Sequence, residues 1–270
     1  MSEAFFLPVK LGQRFCLYHA PNEQHPRGAI LYVHPFAEEM NKSRRMAALQ
    51  SRLMAAQGYA VLQMDLYGCG DSSGDFGDAT WQHWLQDVLD ARAWLGARCD
   101  APFWLWGLRA GCLVVSQAAA LLNESVNLIL WQPVISGKQY LQQFLRLKVA
   151  GELIGGNGKG VMDDLKQRLA AGQSVEIAGY TLSPGMANGL EATELLPPQH
   201  NSRAVWLELS ARPDATLAPV SAKCLERWQA AGHSIRSAVL SGPSFWQTVE
   251  IEEAPALLTA TLPALESDAS

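Results

Sequence analysis

Short apolar runs alternate with amphipathic stretches along most of the chain. The run AILYVHP (29–35) is rich in β-branched and large apolar residues and stops at Pro35, which predicts a buried strand. After it, 41–58 carries apolar residues at Met46, Leu49, Leu53 and Met54, the spacing of one helix face. Asn41 or Ser43 is the candidate cap there and Gly58 the stop. AVLQMDLYG (60–68) predicts the next strand, and 79–98 the next helix, with Trp81, Trp84, Leu85, Val88, Leu89 and Trp94 inward. FWLWG (103–107), LILWQPV (128–134) and AVWLELS (204–210) continue the strands. A helix at 221–232 and a strand at 234–242 close the alternation. Strands apolar on both faces, each followed by a helix, predict an α/β fold with a mainly parallel central sheet flanked by helices.

Two regions depart from this rhythm. The opening segment FLPVKLGQRFCLYHAP alternates around Gly12 and predicts an antiparallel hairpin at the sheet edge. Residues 137–200 contain helix-like pieces, QYLQQFLRLKVAGELI and VMDDLKQRLAAG, and no clear buried strand. An excursion of that size between two strands predicts a helical lid over a site. The expectation is one domain over 1–265 with the lid at about 137–200, then a loose tail at 266–270.

Composition narrows the function classes. The 270 residues are 49% hydrophobic and 17% charged, ordinary for a globular domain, and the net charge is −5 with the signs mixed. No basic stripe is available for a phosphate backbone, so nucleic acid is not an expected partner. The N-terminus lacks a basic segment followed by a long apolar run, and 112–122 and 128–136 are too short to span a bilayer. Five cysteines at 16, 69, 99, 112 and 224 form no CxxC pair, which fits reduced thiols and a cytoplasmic setting. His19, His25, His83, His200 and His233 show no metal-ligand spacing, so neither a metal nor a cofactor is expected. Most of the nine tryptophans sit in strands or at helical spacing, as core residues would, and Trp246 is the exception on a loop.

Candidate chemistry gathers at loops after the strands. PFWLWGLRAGCLVVSQAAALL (102–122) is a strand, a tight turn and a helix, the turn being Gly107-Leu108-Arg109-Ala110-Gly111. Gly70-Asp71-Ser72-Ser73-Gly74 satisfies Gly-x-Ser-x-Gly literally, but it runs from loop to loop and leads into no helix, so Ser72 is set aside as nucleophile. Cys112 sits on the first helical turn, where packing would direct it, and Cys69 has no adjacent histidine in sequence.

These pieces in this order resemble the α/β-hydrolase fold. The resemblance rests on His34-Pro35-Phe36 after a strand, on Asp65-Leu66-Tyr67-Gly68-Cys69-Gly70-Asp71-Ser72, and on the turn at 107–111. It rests too on Asp214 after AVWLELS and on Gly242-Pro243-Ser244-Phe245-Trp246. More narrowly, HPFAEEMNKSR, WGLRAG and GPSFWQ are similar to the exosortase A system-associated hydrolase 2 group, found beside bacterial exopolysaccharide and protein-sorting machinery. The resemblance puts Arg109 at the nucleophile position, Asp214 at the acid position and Ser244 at the histidine position. A serine nucleophile needs a base, and neither Arg109 nor Ser244 supplies the missing groups near neutrality.

The resemblance therefore implies a degenerate hydrolase, a pseudoenzyme. The N–H groups of Phe36 and Ala110 would form an oxyanion pair, and Arg109 would make the site a pocket for a small anionic or acyl-bearing ligand. His34, Glu38, Glu39, Asp65 and Trp246 are the further site candidates. Arg109 could instead pair with Asp214, Glu38 or Glu39 and simply fill the site. The alternative function is an active hydrolase of ester, thioester or amide bonds, with water activated by Glu38, Glu39, Asp65 or Asp214. A partner protein from the exosortase or exopolysaccharide machinery is a further expectation of the resemblance.

Overall fold

The computed structural model describes residues 2–154 and 160–266. The chain opens with the antiparallel hairpin β1 (Ser2–Val9) and β2 (Gly12–His19), which turns at Gly12 with φ of 82°. Then follow β3 (Gly28–Val33), α1 (Glu38–Ala56), β4 (Tyr59–Met64), α2 (Trp81–Gly96), β5 (Phe103–Leu108), α3 (Gly111–Leu121) and β6 (Asn127–Trp131). After β6 the chain leaves the sheet for α4 (Gly137–Ile154), α5 (Val161–Ala170), the small hairpin β7 (Val175–Ile177) and β8 (Tyr180–Leu182), and α6 (Pro184–Ala192). It returns as β9 (Arg203–Ser210), α7 (Pro219–Ala230), β10 (Ser234–Ser241) and α8 (Pro255–Leu265).

The main sheet has eight strands in the order β1-β2-β4-β3-β5-β6-β9-β10. All neighbours from β4 to β10 pair in parallel; β2 alone runs against them, and β1, antiparallel to β2, returns to their direction at the edge. Period-two alternation divides the core. Ala29, Leu31 and Val33 of β3, with Phe103 and Leu105 of β5, join the cluster under α2, α3 and α7. Ile30 and Tyr32, with Trp104, Trp106 and Leu108, join the cluster under α1 and α8. Each buried Val, Leu, Ile or Phe among these contributes roughly 1.5–3 kcal/mol, so the central strands must be apolar on both faces.

Three expectations change in detail. Helix α1 begins at Glu38, ahead of Asn41 and Ser43; its cap is Ala37 at φ 51°, and no side chain closes its first turn. Ser43 instead donates back to the Glu39 carbonyl, and Asn41 donates to Glu38. The excursion at 137–200 is not purely helical, because β7 and β8 bury Val175, Ile177 and Leu182. Strands that short carry too little pattern to be read from sequence. Helix α8 was not anticipated, although Leu257 and Leu265 anchor it on the sheet. The tail expected at 266–270 lies outside the described residues from 267 onward.

Candidate functional site

The turn between β5 and α3 is tight because two glycines allow it. A Cβ on Gly107 would come within 2.7 Å of the Cys112 backbone, and one on Gly111 within 2.5 Å of the Val33 carbonyl oxygen. Only glycine fits at either place. Arg109 stands at the apex with φ of 55°, a left-handed conformation costly for a side-chain-bearing residue. Its N–H donates to the Trp131 carbonyl at 3.0 Å, and its own carbonyl accepts from Cys112 at 3.0 Å. The backbone thus holds the Arg109 side chain at the strand end.

That side chain meets Glu39 from the first turn of α1. Nε donates to Oε1 at 3.3 Å, and the Tyr140 hydroxyl, from α4, donates to Oε2 at 3.0 Å. The guanidinium carbon lies 5.2 Å from the Trp246 ring centroid and 5.7 Å from that of Tyr140. Neither terminal nitrogen of Arg109 makes a hydrogen bond among the described residues. Burial pushes the Glu39 carboxyl above its ordinary range; the Arg109 charge and the Tyr140 and Arg109 hydrogen bonds oppose that shift. Burial and the Glu39 charge push the Tyr140 hydroxyl well up in turn.

Around this cluster lies a cavity of about 330 Å³. Phe36, Ala37, Glu38, Glu39 and Lys42 form one wall and Tyr140, Gln143, Phe144 and Leu147 of α4 the other, with Arg109, Trp246 and Gln247 between them. No serine, cysteine or histidine lines it among the described residues. The backbone N–H groups of Phe36 and Ala110 make no hydrogen bond among the described residues. Their loops adjoin, since a Cβ on Gly111 would also sit 2.7 Å from the His34 carbonyl oxygen.

Of the residues singled out from sequence, the cavity gathers Arg109, Glu38, Glu39, Phe36 and Trp246. Asp214 is exposed on the β9–α7 loop and makes no ion pair among the described residues. Ser244 is half-buried on the β10–α8 loop and stands outside the cavity wall. His34 is structural here. Its Nε2 accepts from the Leu66 N–H at 3.1 Å, so the proton sits on Nδ1 and is given to the Pro35 carbonyl at 2.7 Å. Burial pushes His34 below its ordinary pKa, in keeping with a neutral ring.

Asp65 is equally engaged, accepting from Arg44 at 3.0 Å and from the Asp71 N–H at 3.2 Å. Ser72 accepts from the Phe15 N–H at 2.9 Å and donates to the Asp65 carbonyl at 2.5 Å, a brace between β2 and the loop after β4. Glu38 accepts from Tyr180 at 2.9 Å and from Asn41 at 3.1 Å. The five free cysteines are buried, and burial pushes the Cys112 and Cys69 thiols up, away from thiolate chemistry. No metal-ligating cluster occurs among the described residues, and no described helix is long and apolar enough to cross a membrane.

Sequence reasoning missed the α4 contribution. Tyr140, Phe144 and Leu147 recur at helical spacing and form one stripe, and Gln143 lies on the same side. The stripe is visible in QYLQQFLRLK, but such spacing does not say whether it faces a core or a cavity.

A parallel sheet of this strand order, with a glycine-bounded turn leading into a helix beside the β3 loop, defines an α/β hydrolase. The family model for serine aminopeptidase, S33, matches residues 24–176, and the chain belongs to that family. No curated protein matches it in sequence. Among solved structures, it resembles Est1E from Butyrivibrio proteoclasticus with ferulic acid bound, at 15% identity over 95% of this chain and 96% of that one, TM-score 0.65. It also resembles a proline iminopeptidase-related protein from Thermus thermophilus, at 20% identity over 98% and 97%, TM-score 0.62. An α/β serine hydrolase without lid from Xanthomonas campestris aligns at 15% identity over 97% and 93%, TM-score 0.58. At these identities the likeness shows the fold.

Proposed function

We propose that this α/β hydrolase binds an anionic ligand with an acyl or other apolar body at the β5–α3 turn, in place of serine-based hydrolysis. One observation carries the reading. The apex residue is Arg109, its terminal nitrogens are unpaired, and the surrounding aromatic cavity offers no serine, cysteine or histidine among the described residues. A guanidinium edge with two free donors suits a carboxylate or phosphate, which accepts two parallel hydrogen bonds. Tyr140, Phe144, Leu147 and Trp246 suit the apolar body. The free N–H groups of Phe36 and Ala110 support a retained oxyanion pair. On this reading α4 to α6 act as a lid within a single domain and the triad is degenerate. The motifs at 34–44, 106–111 and 242–247 favour the exosortase-associated setting, in the cytoplasm beside its partner machinery.

The test is thermal melting with octanoate and, as neutral control, octanol. Octanoate is expected to raise the melting temperature of the native protein and not of Arg109→Ala, while octanol raises neither. An equal shift in both proteins, or none in the native one, overturns the reading. A second reading is favoured by Glu39 alone: its raised pKa and place in the cavity fit a base that activates water on an ester. Ester turnover lost in Glu39→Gln would select that reading, and an inert native protein would remove it.

A further inference from the structure

The charges facing the cavity already balance. Arg109 from the β5–α3 turn and Lys42 from α1 stand against Glu38 and Glu39 of the same helix. Tyr140 faces Glu39 from α4, and the β10–α8 loop presents the uncharged Trp246 and Gln247. Glu38 is held by Tyr180 and Asn41, and Lys42 donates to the Val249 carbonyl at 2.7 Å. Lys42 and Glu38 are thus each anchored to another segment, whereas the Nη1/Nη2 edge of the Arg109 guanidinium, beside Glu39, makes no hydrogen bond among the described residues.

A ligand anion on that edge would sit beside the Glu39 carboxylate, with one cation between two anions in a largely desolvated place. Two carboxylates that share such a site do not both stay ionised. We propose that the cavity takes up a carboxylate ligand together with one proton, which Glu39 captures, so that two carboxyl groups share the Arg109 guanidinium. This rests on the anion-binding reading above and adds the ligand's class and its proton linkage. The proton comes from solvent, binds Oε1 or Oε2 of Glu39, and leaves again when the ligand departs. No other bond is made or broken.

The geometry accommodates both protonation states. The charged Glu39 accepts from Nε of Arg109 and from the Tyr140 hydroxyl. The neutral acid can donate from Oε2 to the same hydroxyl, which turns to accept, while Oε1 keeps Arg109. Burial already holds the Glu39 carboxyl above its ordinary range, which reduces the cost of adding that proton.

The experiment is calorimetry of the full chain with octanoate and with 3-phenylpropionate, between pH 6.5 and 8.5, in two buffers of unlike ionisation heat. The native protein should take up close to one proton per ligand bound, and its affinity should fall by up to about tenfold per pH unit as pH rises. Glu39→Gln should bind with no proton uptake and a flat pH dependence. Tyr140→Phe removes a bond that lowers the Glu39 pKa, so it should take up fewer protons at pH 7, which tests the same group should Glu39→Gln fail to fold. Arg109-dependent binding without proton uptake, or uptake that persists in Glu39→Gln, overturns the inference and leaves the anion site standing. Absence of Arg109-dependent binding removes both.

Discussion

Two arginines each reach a shielded carboxylate through Nε, and they do different work. Arg14 donates from Nε to Asp87 at 2.7 Å and from Nη1 to the Leu11 and Gln13 carbonyls, and its side chain is 2% exposed. The second Asp87 oxygen accepts from the Tyr67 N–H at 2.7 Å, so both its oxygens are engaged. The Arg109 side chain makes one hydrogen bond, to Glu39 at 3.3 Å, is 18% exposed, and leaves its terminal nitrogens without a hydrogen bond among the described residues. The Arg14 pair also borders the larger cavity, about 740 Å³ between the β1–β2 turn and α2. The contrast lies in how much hydrogen-bonding capacity is left: among the described residues Arg14 leaves Nη2 alone without a bond, Arg109 both Nη1 and Nη2.

The strongest way to break the comparison is to remove each arginine in turn. Arg14→Met leaves a buried aspartate without its counter-charge and should cost about 3–5 kcal/mol at pH 8, read from urea melts. Burial, which outweighs Arg14, places Asp87 at about 6, above its ordinary 3.8. A carboxyl raised on folding contributes stability that is full below its unfolded pKa and is lost as pH rises through the folded one. Without Arg14 the folded pKa climbs further, so that loss continues to higher pH. The gap between native and variant should accordingly widen from pH 5 to pH 8. A gap independent of pH would show that Asp87 is not the group left stranded.

Tyr140→Phe sharpens the contrast from the other side. It deletes one charge-assisted hydrogen bond on Glu39 and keeps the ring that packs on Phe36. The expected cost is about 1–2 kcal/mol above neutrality, shrinking as pH falls and Glu39 takes a proton. A cost unchanged by pH would mean that Glu39 does not titrate in this cavity.

The sheet was legible because buried parallel strands must be apolar on both faces, as Ile30 to Val33 and Trp104 to Leu108 are. The turn at 107–111 was legible too, because close backbone approach demands Gly107 and Gly111 whatever stands between them. Position in sequence told less about side-chain reach. Asp214 follows the expected strand yet is exposed, while Glu39, one of several possible partners, is the one Arg109 meets. The α4 wall could not be assigned because Tyr140, Phe144 and Leu147 would look the same against a core. Ser72 shows the converse, a motif match whose hydroxyl is used up on the Phe15 N–H and the Asp65 carbonyl.

The smallest stability effect belongs to Arg109→Ser, which also restores a Gly-x-Ser-x-Gly sequence at the turn. Its stability should stay within about 1 kcal/mol of native, since Glu39, left without its cation, can neutralise itself by taking a proton. Despite the restored motif, the new hydroxyl should not be labelled by a fluorophosphonate probe at pH 8. A serine nucleophile must hand its proton to a nearby base. His34 is tied to Pro35 and Leu66, Ser244 cannot take a proton, and no histidine lines the cavity among the described residues. Stoichiometric labelling would mean that Glu39, freed from Arg109, had become that base. In that case the second arginine would be a lock on a hydrolase, and its difference from Arg14 would be one of regulation rather than of ligand binding.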